Sequence, residues 1–144
     1  TIACTGIEFC KLAIVETKAT ATETVKTLER KLVDVQIGRP ISLHINGCPN
    51  SCARIQTADI GLKGQLLPDG NGGTSPGFQV HLGGGLATKD RDEAGLGRTV
   101  RGLKVTADEL PDYVERLVRR FEADKAGDET FASWAHRAEE EALQ

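Results

Sequence analysis

The chain has 144 residues, a formal net charge of −3 and 39% hydrophobic residues, values that fit one globular domain. No apolar run is long enough to span a membrane and no secretory leader is visible, so we expect no membrane partner and a cytoplasmic location. Lys and Arg form no cluster, and the aromatic residues are only four Phe, one Tyr and one Trp, which argues against nucleic-acid binding.

The N-terminal part is predicted to hold a loop, a long helix and a strand. Residues 1–6 are typical of a loop, and this loop carries Cys4. Residues 9–35 contain neither Gly nor Pro and predict a helix with Cys10 at its start. Apolar residues recur along this helix at helical spacing: Val25, Leu28, Leu32 and Val35. Residues 41–45 alternate apolar and polar side chains, which predicts a strand with one buried face.

The middle of the chain is predicted to be a sheet. Residues 57–67 and 77–82 each favour a strand, and a Gly/Pro-rich loop at 68–77 should join them as antiparallel neighbours. After a polar, loop-like stretch at 87–97, residues 98–105 predict a further strand.

Two helices are predicted at the C-terminal end. The sequence Thr-Ala-Asp-Glu at 106–109 matches a capping box. An apolar stripe follows it: Leu110, Val114, Leu117, Val118 and Phe121. A last helix from about Asp128 carries an apolar face: Phe131, Trp134, Ala135 and Ala138. The whole pattern predicts one α+β domain over residues 1–144, with a mixed central sheet and flanking helices.

The four cysteines fall into two pairs, C-x5-C at Cys4 and Cys10 and C-x3-C at Cys48 and Cys52. Their spacing leaves four interpretations open: disulfides, a structural zinc site, four unrelated core cysteines, or an iron–sulfur cluster. The lack of a secretory leader weighs against disulfides. Zinc knuckles usually have C-x2-C or C-x4-C spacing, whereas an iron–sulfur cluster accepts varied spacings.

The sequence around the second pair favours a turn that stabilises thiolates. Gly47 permits close backbone approach and Pro49 fixes φ, so that Cys52 would lie in the first turn of a short helix. Converging backbone N–H groups at such a turn stabilise a thiolate. The first pair follows the same logic, with Gly6 in its loop. Two such loops facing each other would enclose a 4Fe–4S cluster.

These segments also carry a family resemblance that covers nearly the whole chain. CTGIEFCKLAIVETK at 4–18 and NGCPNSCARIQ at 46–56 resemble the paired cysteine segments of ferredoxin-dependent nitrite and sulfite reductases. ADIGLKG at 58–64 and QVHLGG at 79–84 are similar to the strands that follow in that family. The resemblance implies the fold of the nitrite/sulfite reductase 4Fe–4S domain.

The resemblance also implies cofactors, an electron donor and a reaction. Cys4, Cys10, Cys48 and Cys52 would bind one 4Fe–4S cluster, and Cys52 would also bridge to the iron of a siroheme. Reduced ferredoxin would supply electrons one at a time. Six electrons would convert nitrite to ammonia or sulfite to sulfide, and the sequence favours neither substrate.

Enzymes of this family are several times longer than 144 residues and have two pseudo-symmetric halves. The chain contains no methionine, so we expect a C-terminal, cluster-bearing piece whose partner is the N-terminal half of the same polypeptide. That half would supply most of the Arg and Lys side chains that clamp substrate. We therefore expect no catalytic residue in this chain, no activity of the isolated fragment, and a siroheme that needs both halves.

Several further residues are candidates with two interpretations each. Arg54 would meet a siroheme carboxylate or lie on a solvated helix, and Asn50 would shape the turn rather than bind the macrocycle. Three glycines at 83–85 would let backbone approach the cofactor or form an ordinary bend. The histidines are expected to be packing or surface residues rather than metal ligands: His44, His81 and His136.

Two functions of other classes stay open on the sequence. One is a stand-alone iron–sulfur electron carrier without siroheme. The other is a non-catalytic zinc or redox-sensing module. Visible absorption distinguishes these two functions from the reductase, because a cluster and a siroheme each colour the protein and a zinc site does not.

Overall fold

A computed structural model describes residues 1–87 and 94–144 of the chain. The strands are β1 (Ile2–Ala3), β2 (Leu43–Asn46), β3 (Ile60–Pro68), β4 (Thr74–Leu82) and β5 (Lys104–Thr106). The helices are α1 (Lys18–Lys31), α2 (Leu110–Asp124) and α3 (Phe131–Arg137), with short 3-10 helices at Ile55–Thr57 and Glu140–Ala142. Part of the polar loop predicted at 87–97 lies outside the described residues.

The five strands form one sheet in the order β1-β2-β3-β4-β5. β1, β2 and β3 run parallel, whereas β3 pairs antiparallel with β4 and β4 with β5. The predictions of a mixed sheet and an α+β fold are therefore confirmed. Because β2 and β3 are parallel neighbours, the chain must return along the sheet between them, and residues 47–59 make that crossover.

The helices pack on the sheet face formed by the buried alternate residues of the strands. The central strands contribute Leu43, Ile45, Ile60, Leu62, Phe78, Val80 and Leu82. The predicted stripe of α2 is buried in full, and so is the predicted apolar face around α3. The Phe121 ring of α2 contacts Phe131 edge to face and Trp134 at a tilt, with ring centroids 5.4 and 5.6 Å apart. This face is the hydrophobic core of the domain.

The first helix is shorter than predicted. α1 begins at Lys18 because the Glu16 carboxylate accepts the backbone N–H groups of Lys18 and Ala19, at 2.8 and 3.1 Å. Cys10 therefore lies in an irregular segment eight residues before the helix, and its predicted place at the helix start is wrong. The predicted stripe is only partly buried, with Leu28 and Leu32 packed against the core.

Other boundaries also differ from the prediction. β1 occupies part of the predicted loop at 1–6, because pairing with β2 satisfies its backbone. The hairpin loop is narrower than 68–77, since the strands extend to Pro68 and Thr74. Of the strand predicted at 98–105 only the end forms β5, and Arg98 makes a single bridge to Leu82. Within the described ranges, no helix has the length and apolar composition needed to cross a membrane.

Candidate metal centre

The two cysteine turns meet at one end of the sheet. Cys4 follows β1 and Cys48 lies two residues after β2, so both emerge at the carboxyl ends of adjoining parallel strands. The Cys4 N–H donates to the Ile45 carbonyl at 3.0 Å and extends the pairing. The Gly47 N–H donates to the Cys4 Sγ at 3.2 Å. Cys4 and the start of the turn that carries Cys48 therefore lie at the same end of the sheet.

The segment around Cys10 is held by the same glycine. The Cys10 N–H donates to the Gly6 carbonyl at 3.0 Å, which closes a turn. Ile14 and Val15 then donate their N–H groups to the Gly47 carbonyl at 2.7 and 3.3 Å. Both backbone groups of Gly47 thus bind the first cysteine segment, and Cys10, four residues before Ile14, is half-buried.

Gly47 has no room for a side chain. An added Cβ would lie 2.9 Å from the Val15 carbonyl oxygen and 3.2 Å from the Ala13 Cβ. Gly6 is constrained as well, since it has a φ of +77° and a Cβ there would lie 2.6 Å from the Thr17 Oγ1. The close backbone approach predicted at Gly47 is therefore present.

The second turn is irregular rather than helical. Cys48 is buried and Cys52 is exposed. Ser51 and Arg54 have positive φ angles of 60° and 54°, a left-handed conformation that interrupts a helix. The short helix predicted at Cys52 is wrong, because only a 3-10 helix forms, and it begins at Ile55.

Two fully buried polar side chains fasten these turns, and neither was singled out from the sequence. The Thr17 Oγ1 donates to the Cys4 carbonyl at 2.8 Å and lies 3.9 Å from its Sγ. The Asn46 Nδ2 donates to the Cys48 carbonyl at 2.8 Å, and its Oδ1 accepts the Ala53 N–H at 2.8 Å. The sequence signal that could have identified them is their position beside turns, because Asn and Thr side chains there often hydrogen-bond to the backbone.

The remaining loop candidates lie at the surface. Asn50 and Arg54 are both exposed. Arg54 is not on an α-helix, so the interpretation as a solvated helix residue is wrong. Its backbone has the left-handed conformation just before the 3-10 helix. The Arg54 carbonyl lies 3.3 Å from the His44 Nδ1. A contact of either exposed side chain with a cofactor stays a prediction.

The other histidines lie away from the cysteine turns. The His136 Nε2 is 3.0 Å from the Gly83 carbonyl. The His81 Nε2 is buried with no hydrogen-bond partner among the described residues, and burial together with the nearby Lys63 charge lowers the pKa of its ring. In residues 1–87 and 94–144, no group of three or more His, Cys, Asp or Glu side chains is arranged to hold a metal ion.

The three glycines at 83–85 pack on the crossover segment. The Gly83 and Gly84 N–H groups donate to the carbonyls of Asp59 and Ala58 at 2.8 and 2.9 Å. A Cβ on Gly84 would lie 2.1 Å from the Gln56 carbonyl oxygen. Close packing of two backbone segments of this chain therefore accounts for the small residue there.

The donor set fits a four-thiolate cluster. All four cysteines are unbridged, and they lie on two turns tied together by backbone hydrogen bonds. A cluster gives each of its irons a separate thiolate, so its ligands do not crowd around a single ion. The Gly47 N–H bond to the Cys4 sulfur is the kind of hydrogen bond that cluster sulfurs accept.

Known proteins match this chain over its full length. The family model described as the nitrite and sulphite reductase 4Fe-4S domain matches residues 1–144. Sulfite reductase (ferredoxin) 1 of Mycolicibacterium paratuberculosis is 55% identical, over 100% of this chain and 26% of its own length. Ferredoxin–nitrite reductase of Spinacia oleracea is 37% identical, over 85% of this chain and 19% of its own.

The fold has a similarly strong match. The solved structure of the NirA protein of Mycobacterium tuberculosis superposes with a TM-score of 0.92 at 54% identity, covering 99% of this chain and 26% of that one. The chain thus spans about a quarter of the length of the sulfite reductases that it matches. The resemblance drawn from the two cysteine segments is confirmed, and the chain belongs to the nitrite and sulphite reductase 4Fe-4S domain family.

Proposed function

We propose that this chain is the cluster-bearing part of a ferredoxin-dependent reductase that converts sulfite to sulfide or nitrite to ammonia with six electrons. The supporting observation is the Gly47 N–H bond to the Cys4 Sγ, which joins the two cysteine turns in a chain of this family. Cys4, Cys10, Cys48 and Cys52 would hold the 4Fe–4S cluster. The two alternative functions are not favoured, because the matched relatives are reductases.

Cys52 is assigned a second role as the thiolate shared with the siroheme iron. It is the one exposed cysteine of the four, whereas Cys48 on the same turn is buried. An exposed sulfur lets a large macrocycle approach, and a buried one does not. When bound, the two cofactors supply one-electron transfer from ferredoxin to the substrate. Arg54, two residues along, is the candidate for a siroheme carboxylate, and Asn50 shapes the turn.

The rest of the reductase polypeptide is the main partner in this proposal. The matched sulfite reductases are about four times as long as this chain. Three apolar residues beside Cys10 are more than half exposed, at 54%, 68% and 66% for Ile7, Phe9 and Leu12. Exposed apolar side chains around a proposed cofactor site support packing of a further part of the polypeptide there. Most substrate-clamping cations would come from that part.

Sulfite is the substrate to test first. The relatives named as sulfite reductases are more similar to this chain than those named as nitrite reductases, which supports a shared specificity. We assign the reductase to the cytoplasm, where thiols such as these four remain reduced.

The full-length reductase that carries these residues tests the proposal. After anaerobic purification, reduced ferredoxin is supplied with sulfite or with nitrite, and sulfide or ammonium is measured. We expect turnover of at least one substrate and the visible bands of both cofactors. A protein with cluster absorption but without siroheme bands or turnover would support the electron carrier instead, and a colourless zinc protein would support the zinc module.

The isolated 144-residue chain gives a separate prediction. With a chemical reductant we expect neither sulfite nor nitrite to be reduced, because the substrate-binding cations lie in the rest of the polypeptide. Product formation is measured as for the full-length protein, which serves as the positive control. Sustained turnover by the isolated chain would contradict this division of labour.

A further inference from the structure

We propose that Asn46 is a positioning residue that shapes the Cys48–Cys52 loop before any cofactor binds, an inference that rests on the proposed function. The Asn46 side chain is fully buried at the end of β2. One end of its amide donates to the Cys48 carbonyl at 2.8 Å, and the other accepts the Ala53 N–H at 2.8 Å. A single side chain therefore closes the loop that holds two of the four cysteines.

The loop needs such a closure because its backbone is strained. Ser51 and Arg54 both adopt the left-handed conformation, which is unfavourable for residues other than Gly. The Arg54 N–H donates to the Ser51 carbonyl at 2.8 Å, and the Ser51 Oγ donates to Gln56. These bonds join Ser51 to residues that follow the loop, whereas the two bonds of Asn46 hold Cys48 and Ala53 to the end of β2.

Asn46 also acts on the turn that carries Cys4, through Gly47, the next residue in the chain. The Gly47 N–H, next in the chain, donates to the Cys4 Sγ at 3.2 Å. The backbone of Asn46 and Gly47 packs closely on β3, because a Cβ on Gly64 would lie 2.8 Å from the Asn46 carbonyl oxygen and 2.7 Å from the Gly47 carbonyl carbon. A disturbance at the Asn46 side chain therefore reaches Cys48 directly and the Cys4 sulfur through one peptide group.

Hydrogen bonding around cluster sulfurs sets the reduction potential of a cluster. Loss of the Asn46 amide is thus expected to change the environment of two ligands without removing either. A positioning role of Asn46 differs from a general effect on stability, because its loss changes the potential and the spectrum of the bound cluster in a protein that is still folded.

The test uses the full-length reductase with the Asn46→Asp substitution. Asp keeps the shape and one acceptor but loses the N–H donor to the Cys48 carbonyl. We expect a folded protein with a shifted midpoint potential, an altered electron paramagnetic resonance spectrum of the reduced cluster, and release of iron to a chelator about tenfold faster, the lower end of effects from residues that support metal ligands. Asn71→Asp, on the exposed hairpin loop, is the matched control and should leave all three unchanged.

The smaller Asn46→Ser substitution gives the same comparison if the Asp protein does not fold. A folded variant with the wild-type potential, spectrum and iron release would overturn the positioning role. A wild-type protein without any cluster would instead overturn the proposed function, so the two failures are distinguishable.

Discussion

The hydroxyl of Thr17 links the first cysteine turn to the start of α1. It is fully buried and donates to the Cys4 carbonyl at 2.8 Å. Thr17 precedes α1, but its side chain does not cap the helix, because its hydroxyl bonds to the cysteine turn. The Glu16 carboxylate caps the helix instead. The Thr17 side chain therefore stabilises the contact with the first cysteine turn rather than the N-terminus of α1.

Removing this hydroxyl should destabilise the chain measurably. We expect Thr17→Val to lower the free energy of unfolding by about 1 kcal/mol, because the half-buried Cys4 carbonyl loses that donor. Chemical denaturation of the 144-residue chain measures the change. Thr22→Val, on the exposed surface of α1, is the control and should change the free energy by less than about 0.5 kcal/mol. Equal effects of the two substitutions would contradict the role of Thr17.

At the level of single residues, the sequence predicted the glycine but not its partners. Gly47 was identified because a glycine next to Cys48 and Pro49 favours a turn with close backbone approach. Thr17 was not, because its hydrogen bond reaches the Cys4 carbonyl, 13 residues away. Asn46 was not singled out either, although its bonds to Cys48 and Ala53 are local. A local pattern does not specify the long-range Thr17 contact, whereas an Asn beside a turn is a sequence signal for bonds such as those of Asn46.

A network of charges joins α1 to α2. The Lys31 Nζ lies 2.8 Å from carboxylate oxygens of Asp112 and Glu115, and Arg119 bonds to both Glu115 and Asp34. Hydrogen bonds from Lys31 and then Arg119 hold the pKa of Glu115 below its ordinary value of 4.5. The ion pairs thus fix two helices that are adjacent in space and distant in sequence.

This network predicts a pH dependence with a definite sign. The pKa of Glu115 is lower in the folded state, so its contribution to stability is present above 4.5 and is lost as the pH falls through the folded-state pKa. Glu115→Gln should therefore lower the midpoint of thermal unfolding at neutral pH and have little effect in strong acid.

Thermal unfolding at a series of pH values measures this difference, with Glu23→Gln as the control. Among the described residues Glu23 pairs with Lys26 on the same helix, at 3.7 Å, and both side chains are well exposed. The control should have little effect at any pH. A Glu115→Gln effect that does not change with pH would contradict the electrostatic origin.

Elements were predicted best where two independent signals agreed. For α2, a capping box and an apolar stripe pointed to the same helix, and both are present, with Thr106 and Glu109 exchanging hydrogen bonds just before Leu110. For α1, the only signal over residues 9–17 was the absence of Gly and Pro. That absence permits a helix without requiring one, and the docking of Ile14 and Val15 on Gly47 took precedence.

The hydroxyl of the single tyrosine connects α2 to the C-terminal residues of the chain. The Tyr113 hydroxyl donates to the Leu143 carbonyl at 2.9 Å, and both side chains are buried. Burial raises the pKa of this phenol above its ordinary value of 10.0. The neutral form is favoured in the folded state, so stability is fully present below pH 10.0 and is lost as the pH rises further.

Alkaline titration of the 144-residue chain tests this account of the tyrosine. We expect phenolate absorbance to appear only together with loss of the far-ultraviolet circular dichroism signal, at a pH above 10.0. The chain has one tyrosine, so the absorbance reports on Tyr113 alone. Ionisation near pH 10 in a chain that keeps its dichroism would contradict the buried hydrogen bond.

Parallel pairing of β1, β2 and β3 is the feature of the whole molecule on which the site depends. It brings the ends of β1 and β2 together and turns the β2–β3 crossover into the second cysteine loop. The sequence predicted a mixed sheet but could not assign this order, since strand patterns do not specify neighbours. The cysteine spacing alone therefore left four interpretations, and the family resemblance distinguished among them.

Iron and acid-labile sulfide content tests the central claim most directly. In the full-length reductase prepared without oxygen, we expect four iron and four sulfide per chain, as the 4Fe–4S assignment requires. Single Cys→Ser substitutions at Cys4, Cys10, Cys48 and Cys52 should each reduce both, whereas His81→Gln, outside the two turns, should retain them. Full iron content in any of the four serine variants, or one zinc per chain in the wild type, would contradict the account.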